Sequence, residues 1–201
     1  MSETVTLNVS KKDQIIDAAL AEFRENGFAA ASMDRISLRA GASKRTVYKY
    51  FESKEKLFLE IIVQLWKRIN ARVNVRYRPG VDIGDQLKAL ATAKGEVLTD
   101  PEVMATSRLV VSEIIRSPEL ADETQSKMEY RSVFVDMLRS ANANGQLAID
   151  DPEEAADEFL GLLKAKAFWP VIFGAPVVEK DEMNRIVEST VAMMLSRYAV
   201  D

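Results

Sequence analysis

The sequence predicts an all-α protein of about nine helices. Three observations carry this: apolar residues recur at spacings of three and four, helix-start signatures punctuate the chain, and no stretch requires a sheet. Residues 1–10 read as a flexible arm. Val5, Leu7 and Val9 alternate with polar residues there, so a short strand is the alternative, but the basic start and apolar core of a secretory signal are missing.

The first helix begins at Ser10-Lys11-Lys12-Asp13, a capping box with aspartate in the glutamate place. It carries Ile15, Ile16, Ala19, Leu20 and Phe23 on one face and is stopped by Asn26-Gly27. Ser32, Ser43 and Ser53 cap three more. The last of these presents Leu57, Phe58, Ile61, Ile62, Leu65 and Ile69 before Pro79-Gly80 breaks the pattern. Ile83 to Leu98 forms a fifth, with Leu87, Leu90, Ala91 and Leu98 on its apolar side.

Asp100-Pro101-Glu102, Ser117-Pro118-Glu119 and Asp151-Pro152-Glu153 then mark three helix starts. In each, the first side chain accepts an orphan N–H, proline sits where its missing N–H costs nothing, and glutamate meets the positive end of the dipole. The last of them is expected to run to about Phe173, kinked at Pro170. A final helix carries Met183, Ile186, Val187, Thr190, Val191, Met194, Leu195 and Tyr198.

Composition closes several function classes. With no cysteine and no histidine among 201 residues, the chain has no disulfide, no Cys/His zinc site and no Cys–His or Ser–His nucleophile pair. No cofactor is implied. Paired acids such as Asp150-Asp151 and Glu153-Glu154 are explained as helix starts, and no Gly-rich phosphate loop accompanies them, so an enzyme is not expected. The most apolar stretch, Phe159 to Phe173, contains Lys164 and Lys166, so no membrane span is expected and the location is read as cytoplasmic.

The net charge of −4 opposes indiscriminate attraction to nucleic acid, yet charge is unevenly spread. From Arg35 to Phe51 lie five basic residues (Arg35, Arg39, Lys44, Arg45, Lys49) and no acidic one, whereas Ile61 onward carries 17 basic and 22 acidic residues. In the basic stretch two short helical patterns flank Gly41-Ala42-Ser43, the length and turn chemistry of a helix-turn-helix. Ile36, Ala40, Val47 and Phe51 face inward, leaving Lys44, Arg45, Thr46, Tyr48 and Lys49 outward with Tyr50 at the edge. Lys44, Arg45 and Lys54 sit in first turns, where a cation opposes the helix dipole by about 0.3–1 kcal/mol unless an anion such as a DNA phosphate joins it.

Phe28, Ser32, Ile36, Gly41-Ala42-Ser43-Lys44, Val47-Tyr48, Tyr50-Phe51 and Ser53-Lys54-Glu55 resemble the DNA-binding domain of the tetracycline-repressor (TetR) family of bacterial transcriptional regulators. The resemblance implies a DNA-binding domain over residues 11–58, a ligand-binding and dimerisation domain over 59–201, and a homodimer formed by the last two helices. It implies contacts to a palindromic double-stranded DNA operator. Ser32 and Lys54 would grip phosphates, Lys44, Arg45, Thr46 and Lys49 would face the major groove, and Tyr48 and Tyr50 would touch the backbone. Three positions depart from the family: Arg45 where glycine is frequent, Tyr50 where histidine is common, and Ser37 where a small apolar residue is usual. The end of the chain, from Asp151-Pro152-Glu153-Glu154 through Phe168-Trp169-Pro170 to Met194-Leu195, resembles the AefR-like branch.

The helix starting at Pro152 and the final helix are apolar on more than one side, which suits a two-fold four-helix interface. Phe159, Leu163, Ile186, Thr190, Val191 and Met194 are its candidate residues. Met104, Val111, Phe134, Phe168, Trp169 and Phe173, with Arg108 as polar anchor, are candidates for a pocket binding a small apolar or amphipathic inducer, against the plainer reading that they are core. A repressor released by that inducer is the expected function. A helical adaptor whose basic head meets an acidic protein partner is the alternative.

Overall fold

The computed structural model describes residues 10–73, 75–127 and 132–200. Eleven helices lie among them: α1 (Lys11–Ala30), α2 (Met33–Arg39), α3 (Lys44–Tyr50), α4 (Lys54–Arg72), α5 (Ile83–Leu98), α6 (Pro101–Arg116), α7 (Pro118–Lys127), α8 (Ser132–Ala143), α9 (Pro152–Ala167), α10 (Trp169–Ile172) and α11 (Lys180–Tyr198). The all-α expectation holds, with an isolated bridge between Leu147 and Ala199 as the extended pairing among the described residues. The arm over residues 1–9, with Val5, Leu7 and Val9, lies outside them.

The two helices beyond the expected nine have separate causes. α8 has no proline start signature, although Phe134, Val135, Met137, Leu138 and Ala141 are its buried stripe. α10 arises because the expected Pro152–Phe173 helix does not merely kink. α9 ends at Ala167, Phe168 takes φ −103°, ψ −60°, and a new short helix starts with Pro170 in its first turn.

The chain divides into two compact units, residues 10–65 with 109–127 and residues 66–108 with 132–200. In the first, α1 is broken at Gly27 (φ 73°, ψ 160°), where the sequence placed its stop. Ser10 caps α1 by accepting from the Asp13 N–H, while its hydroxyl donates to the Asp13 carboxylate at 2.7 Å. The core gathers Phe23 and Phe58, both with no exposed surface, and Phe28, with ring centroids 4.9 to 5.6 Å apart.

In the second unit, α11 packs against α5 and α9, and α8 packs on α9. Asp82 and Asp151 cap α5 and α9, and Asp100 accepts from the N–H groups of Glu102 and Val103 at the start of α6. Gly95 permits the closest approach between α5 and α11: a Cβ there would lie 2.9 Å from Met183 Cγ. Gly95→Val is therefore expected to cost about 1–3 kcal/mol by overpacking. Thermal melting checks this, and an unchanged or higher midpoint would mean that Met183 yields freely.

The candidate interface residues lie on α9 and α11, and two of them, Phe159 and Met194, reach the groove on the outward face of these helices. Phe159, Leu163, Ile186, Thr190, Val191 and Met194 are all buried inside a single chain, at 7% exposure or less. Periodicity finds an apolar stripe but does not say which of two apolar faces turns inward. The outward face of α9 and α11 is a shallow groove whose lining includes Phe159 and Met194 together with Glu158, Gly161, Leu162, Ala165, Met193, Arg197 and Tyr198.

Candidate nucleic-acid interface

α2 and α3 are seven residues each and would not persist alone, so their ends and one buried face hold them. Ser32 accepts from the Arg35 N–H at 3.2 Å and Ser43 from the Thr46 N–H at 3.1 Å. Ile36 and Val47 are fully buried and Phe51 nearly so. Gly41, at φ 55°, takes the left-handed turn between the helices that a side chain would resist. Ser37 is buried and donates to the Met33 carbonyl at 2.7 Å, so the polar departure from the family pattern is satisfied.

Two lysines close the frame. Lys11 Nζ donates to the carbonyls of Ala40 and Gly41, covering the end of α2. Lys54 Nζ donates to the carbonyls of Phe28, Ala29 and Ala31 at 2.7, 3.2 and 3.3 Å and lies 4.5 Å from the Phe28 ring centroid. The ammonium expected to grip a phosphate is thus held by backbone carbonyls, with which a phosphate would compete. An ammonium has three protons, and all three are engaged by the carbonyls at the end of α1. The sequence signal for this role is Gly27, whose break leaves those carbonyls without helical donors.

The basic stretch is also less bare than the sequence suggests. Glu22, 1% exposed, receives Arg35 Nε at 2.5 Å and has Arg39 at 3.8 Å. Arg39 also pairs with Glu25. Its hydrogen bond holds the Glu25 carboxyl below the ordinary range and raises the guanidinium. Lys44 pairs with Asp34 at 2.5 Å. The acid-free window from Arg35 begins one residue after Asp34, and the other two acids come from α1. Arg45 and Lys49 remain as exposed cations with no ion pair among the described residues.

Around them lie Tyr48 and Tyr50, 49% and 45% exposed, and Leu38 of α2 at 84%, an outward apolar side chain that sequence reading missed. Thr46 is half-buried, with its hydroxyl 2.8 Å from Ser43 Oγ. Ser32, Tyr48 and Lys54 share one concave surface, which also includes the acids Asp34 and Glu52. The face of α3 thus combines two free cations with two phenols, donors suited to phosphate and base edges.

The inducer candidates divide between core positions and a cluster of rings around α10. Met104 and Phe134 are core, and the Phe134 ring packs 5.2 Å from that of Phe159. Phe168, Trp169 and Phe173 form a chain of rings with centroids 5.1 and 6.2 Å apart, the last two exposed. Arg108 donates to the Val171 carbonyl at 2.6 Å, and Val111 belongs to the first unit. The sequence reading missed Lys94 and Lys164, two half-buried lysines on α5 and α9. Burial, and for Lys94 the charge of Lys164, hold both below the ordinary lysine range; Asp157 acts oppositely on Lys164. The signal was available, since Lys94 interrupts the apolar stripe of Leu87, Leu90, Ala91 and Leu98.

A capped helix-turn-helix followed by a larger helical body defines the class of helix-turn-helix DNA-binding regulators. The profile of the bacterial regulatory proteins of the tetR family matches residues 15–61, and that of the AefR-like transcriptional repressor C-terminal domain matches residues 85–200. The chain belongs to the tetR family. It is similar to the solved structure of a TetR family transcriptional regulator from Pseudomonas syringae pv. tomato, 39% identical, covering 95% of this chain and 97% of that one, with a TM-score of 0.82. It is also similar to the solved structure of the flavonoid-responsive regulator FrrA, 29% identical over 94% and 97% of the two chains, with a TM-score of 0.79. The transcriptional repressor SCO4008 of Streptomyces coelicolor is 30% identical over 80% of this chain and 78% of its own length. These relatives are transcriptional regulators, and no helix among the described residues is long and apolar enough to cross a membrane.

Proposed function

We propose that the protein is a cytoplasmic repressor that binds a palindromic operator as a homodimer, releases it when a small effector occupies the body, and catalyses nothing itself. The exposed face of α3, where Arg45 and Lys49 have no ion pair among the described residues and Tyr48 and Tyr50 are half-exposed, supports this reading most directly. Arg45, Lys49 and Thr46 read bases. Tyr48, Tyr50, Ser32 and Lys44 position the backbone, Lys44 by exchanging Asp34 for a phosphate.

The outward groove of α9 and α11, whose apolar lining includes Phe159, Leu162, Ala165, Met193 and Met194, is the face on which the second copy packs. A two-fold dimer suits a palindromic operator, whose half-sites repeat about every DNA turn, roughly 34–36 Å. The effector acts by binding one arrangement of the body more tightly than the other. One relative is a flavonoid-responsive regulator, and the cluster of Phe168, Trp169 and Phe173 in the body offers rings against which a flat ligand could stack.

A gel-shift titration against DNA flanking the gene tests the reading. Affinity is expected to fall by about 10³–10⁵ between 50 and 200 mM salt if 6–10 phosphates are contacted. No retarded palindromic fragment at low salt would refute DNA recognition, and a flat salt dependence would favour an acidic protein partner.

A further inference from the structure

A second basic run lies outside the helix-turn-helix. Between Glu60 and Asp82 the chain carries Lys67, Arg68, Arg72, Arg76 and Arg78 and no acid, whereas residues 79–201 carry 12 basic and 22 acidic residues. The run occupies the end of α4 and its connection to α5, within the second compact unit. Exposure alternates along Val75-Arg76-Tyr77-Arg78: Val75 and Tyr77 are half-buried and both arginines are exposed, so the two guanidinium groups leave from the outward side.

The backbone beneath them is fixed. Tyr77 Oη donates to Gln146 Oε1 at 2.9 Å, and Gln146 Nε2 donates to the Val81 carbonyl at 3.0 Å. Gln86, 1% exposed, accepts from the Arg78 N–H at 2.7 Å and donates to the carbonyls of Arg78 and Val81 at 3.1 and 3.0 Å. The guanidinium groups themselves are free: Arg76 and Arg78, like the exposed Lys67 and Arg68, have no ion pair among the described residues. The other described arginines of this unit, Arg72, Arg108, Arg139, Arg185 and Arg197, each meet a carboxylate or a carbonyl of the chain.

Unmatched cations in a unit where acids are in excess create a local positive potential. Two guanidinium forks on a fixed backbone suit carboxylates and have little order left to lose on binding. A long polyanion such as duplex DNA, with a charge about every 1.7 Å, would run from this stretch onto surface where acids outnumber bases. A membrane would draw on exposed apolar side chains beside the cations, and Val75 and Tyr77 are turned inward. A short carboxylate-bearing segment fits within the acid-free stretch.

We propose that Arg76 and Arg78 dock an acidic peptide segment of a partner protein. This adds a protein partner to the operator reading and does not depend on release by an effector.

The test is fluorescence anisotropy of the full chain at low salt with a labelled peptide of alternating glutamate and serine, against its glutamine counterpart. The glutamate peptide is expected to bind about tenfold or more tightly, the advantage of charge-assisted over neutral contacts. In the double variant Arg76→Ser, Arg78→Ser that ratio is expected to fall to about threefold or less. Its melting midpoint and its operator gel shift are expected to stay unchanged, because neither guanidinium holds any part of the fold. The double variant Arg45→Ser, Lys49→Ser is expected to lose the operator and keep the peptide preference.

Equal binding of the two peptides, or a preference that survives loss of Arg76 and Arg78, overturns the proposal. A preference abolished by loss of Arg45 and Lys49 overturns it too, by placing the peptide on the face of α3. Retention of a mixed-sequence duplex or of phosphatidylserine vesicles that depends on Arg76 and Arg78, without a preference for the glutamate peptide, replaces the protein partner with nucleic acid or membrane. A chain that retards no operator DNA but keeps the arginine-dependent preference loses the repressor reading and retains this one.

Discussion

Phe58→Ala is expected to destabilise the DNA-reading unit by about 3–5 kcal/mol, the usual cost of deleting a buried aromatic ring. Phe58 is fully buried and touches Phe23 and Phe28 edge-on, at 5.6 and 4.9 Å between centroids. Small domains are stable by only about 5–15 kcal/mol in total, so a loss of this size brings the unit close to unfolding. Operator binding should fall with it, although Phe58 lies far from the exposed face of α3 in chemistry and role. Denaturant unfolding followed by circular dichroism measures the effect. A loss below about 1 kcal/mol would show that the three rings are not the centre of the core.

Lys49→Ala is expected to abolish most operator affinity while leaving the melting midpoint unchanged. The side chain is exposed and makes no ion pair, so its removal deletes a DNA contact without breaking a contact of the fold. One good base contact is worth about 1–3 kcal/mol, and a two-fold complex counts it twice. The sum of about 2–6 kcal/mol corresponds to roughly 30-fold to more than 10⁴-fold in affinity. Gel shifts at one fixed salt concentration, with a matched thermal melt, separate the two effects. A change under threefold would remove Lys49 from the groove.

Most of the fold was legible because its signals are local. Ser10, Ser32, Ser43, Asp100 and Asp151 were in position to cap helices and do so, and Gly27 and Gly41 end segments at the positive φ that favours glycine. Missed features depend on partners distant in sequence. Nothing near Lys54 says that its ammonium returns to carbonyls 23 to 26 residues earlier. Nothing near Arg35 and Arg39 says that α1 supplies Glu22 and Glu25. Charge counted along the chain therefore overstated the cationic surface that DNA meets.

The body shows the same division. α8 and α10 went uncounted because the first has no start signature and the second is created by the break at Phe168. Thr190 and Met194 were recognised as apolar-face positions, but the direction of that face is fixed by α5, which packs on α11 from elsewhere in the chain. Lys94 was passed over although it interrupts the apolar stripe of Leu87, Leu90, Ala91 and Leu98, because one cation in such a stripe does not by itself say what faces it.

The two lysines that close the DNA-reading unit impose a rule on substitution. Lys54 directs three protons from one atom into three carbonyls, and Lys11 directs its own into two carbonyls and the Gln14 side-chain oxygen. Arginine carries the same charge but spreads its donors across a rigid plane, which fits a flat anion and not a converging set of backbone oxygens. At these two positions an exchange that every similarity matrix scores as mild is a steric and directional mismatch. At Arg45 and Lys49, where the charge points outward into open space, the same exchange is tolerated by the fold and changes only what is read.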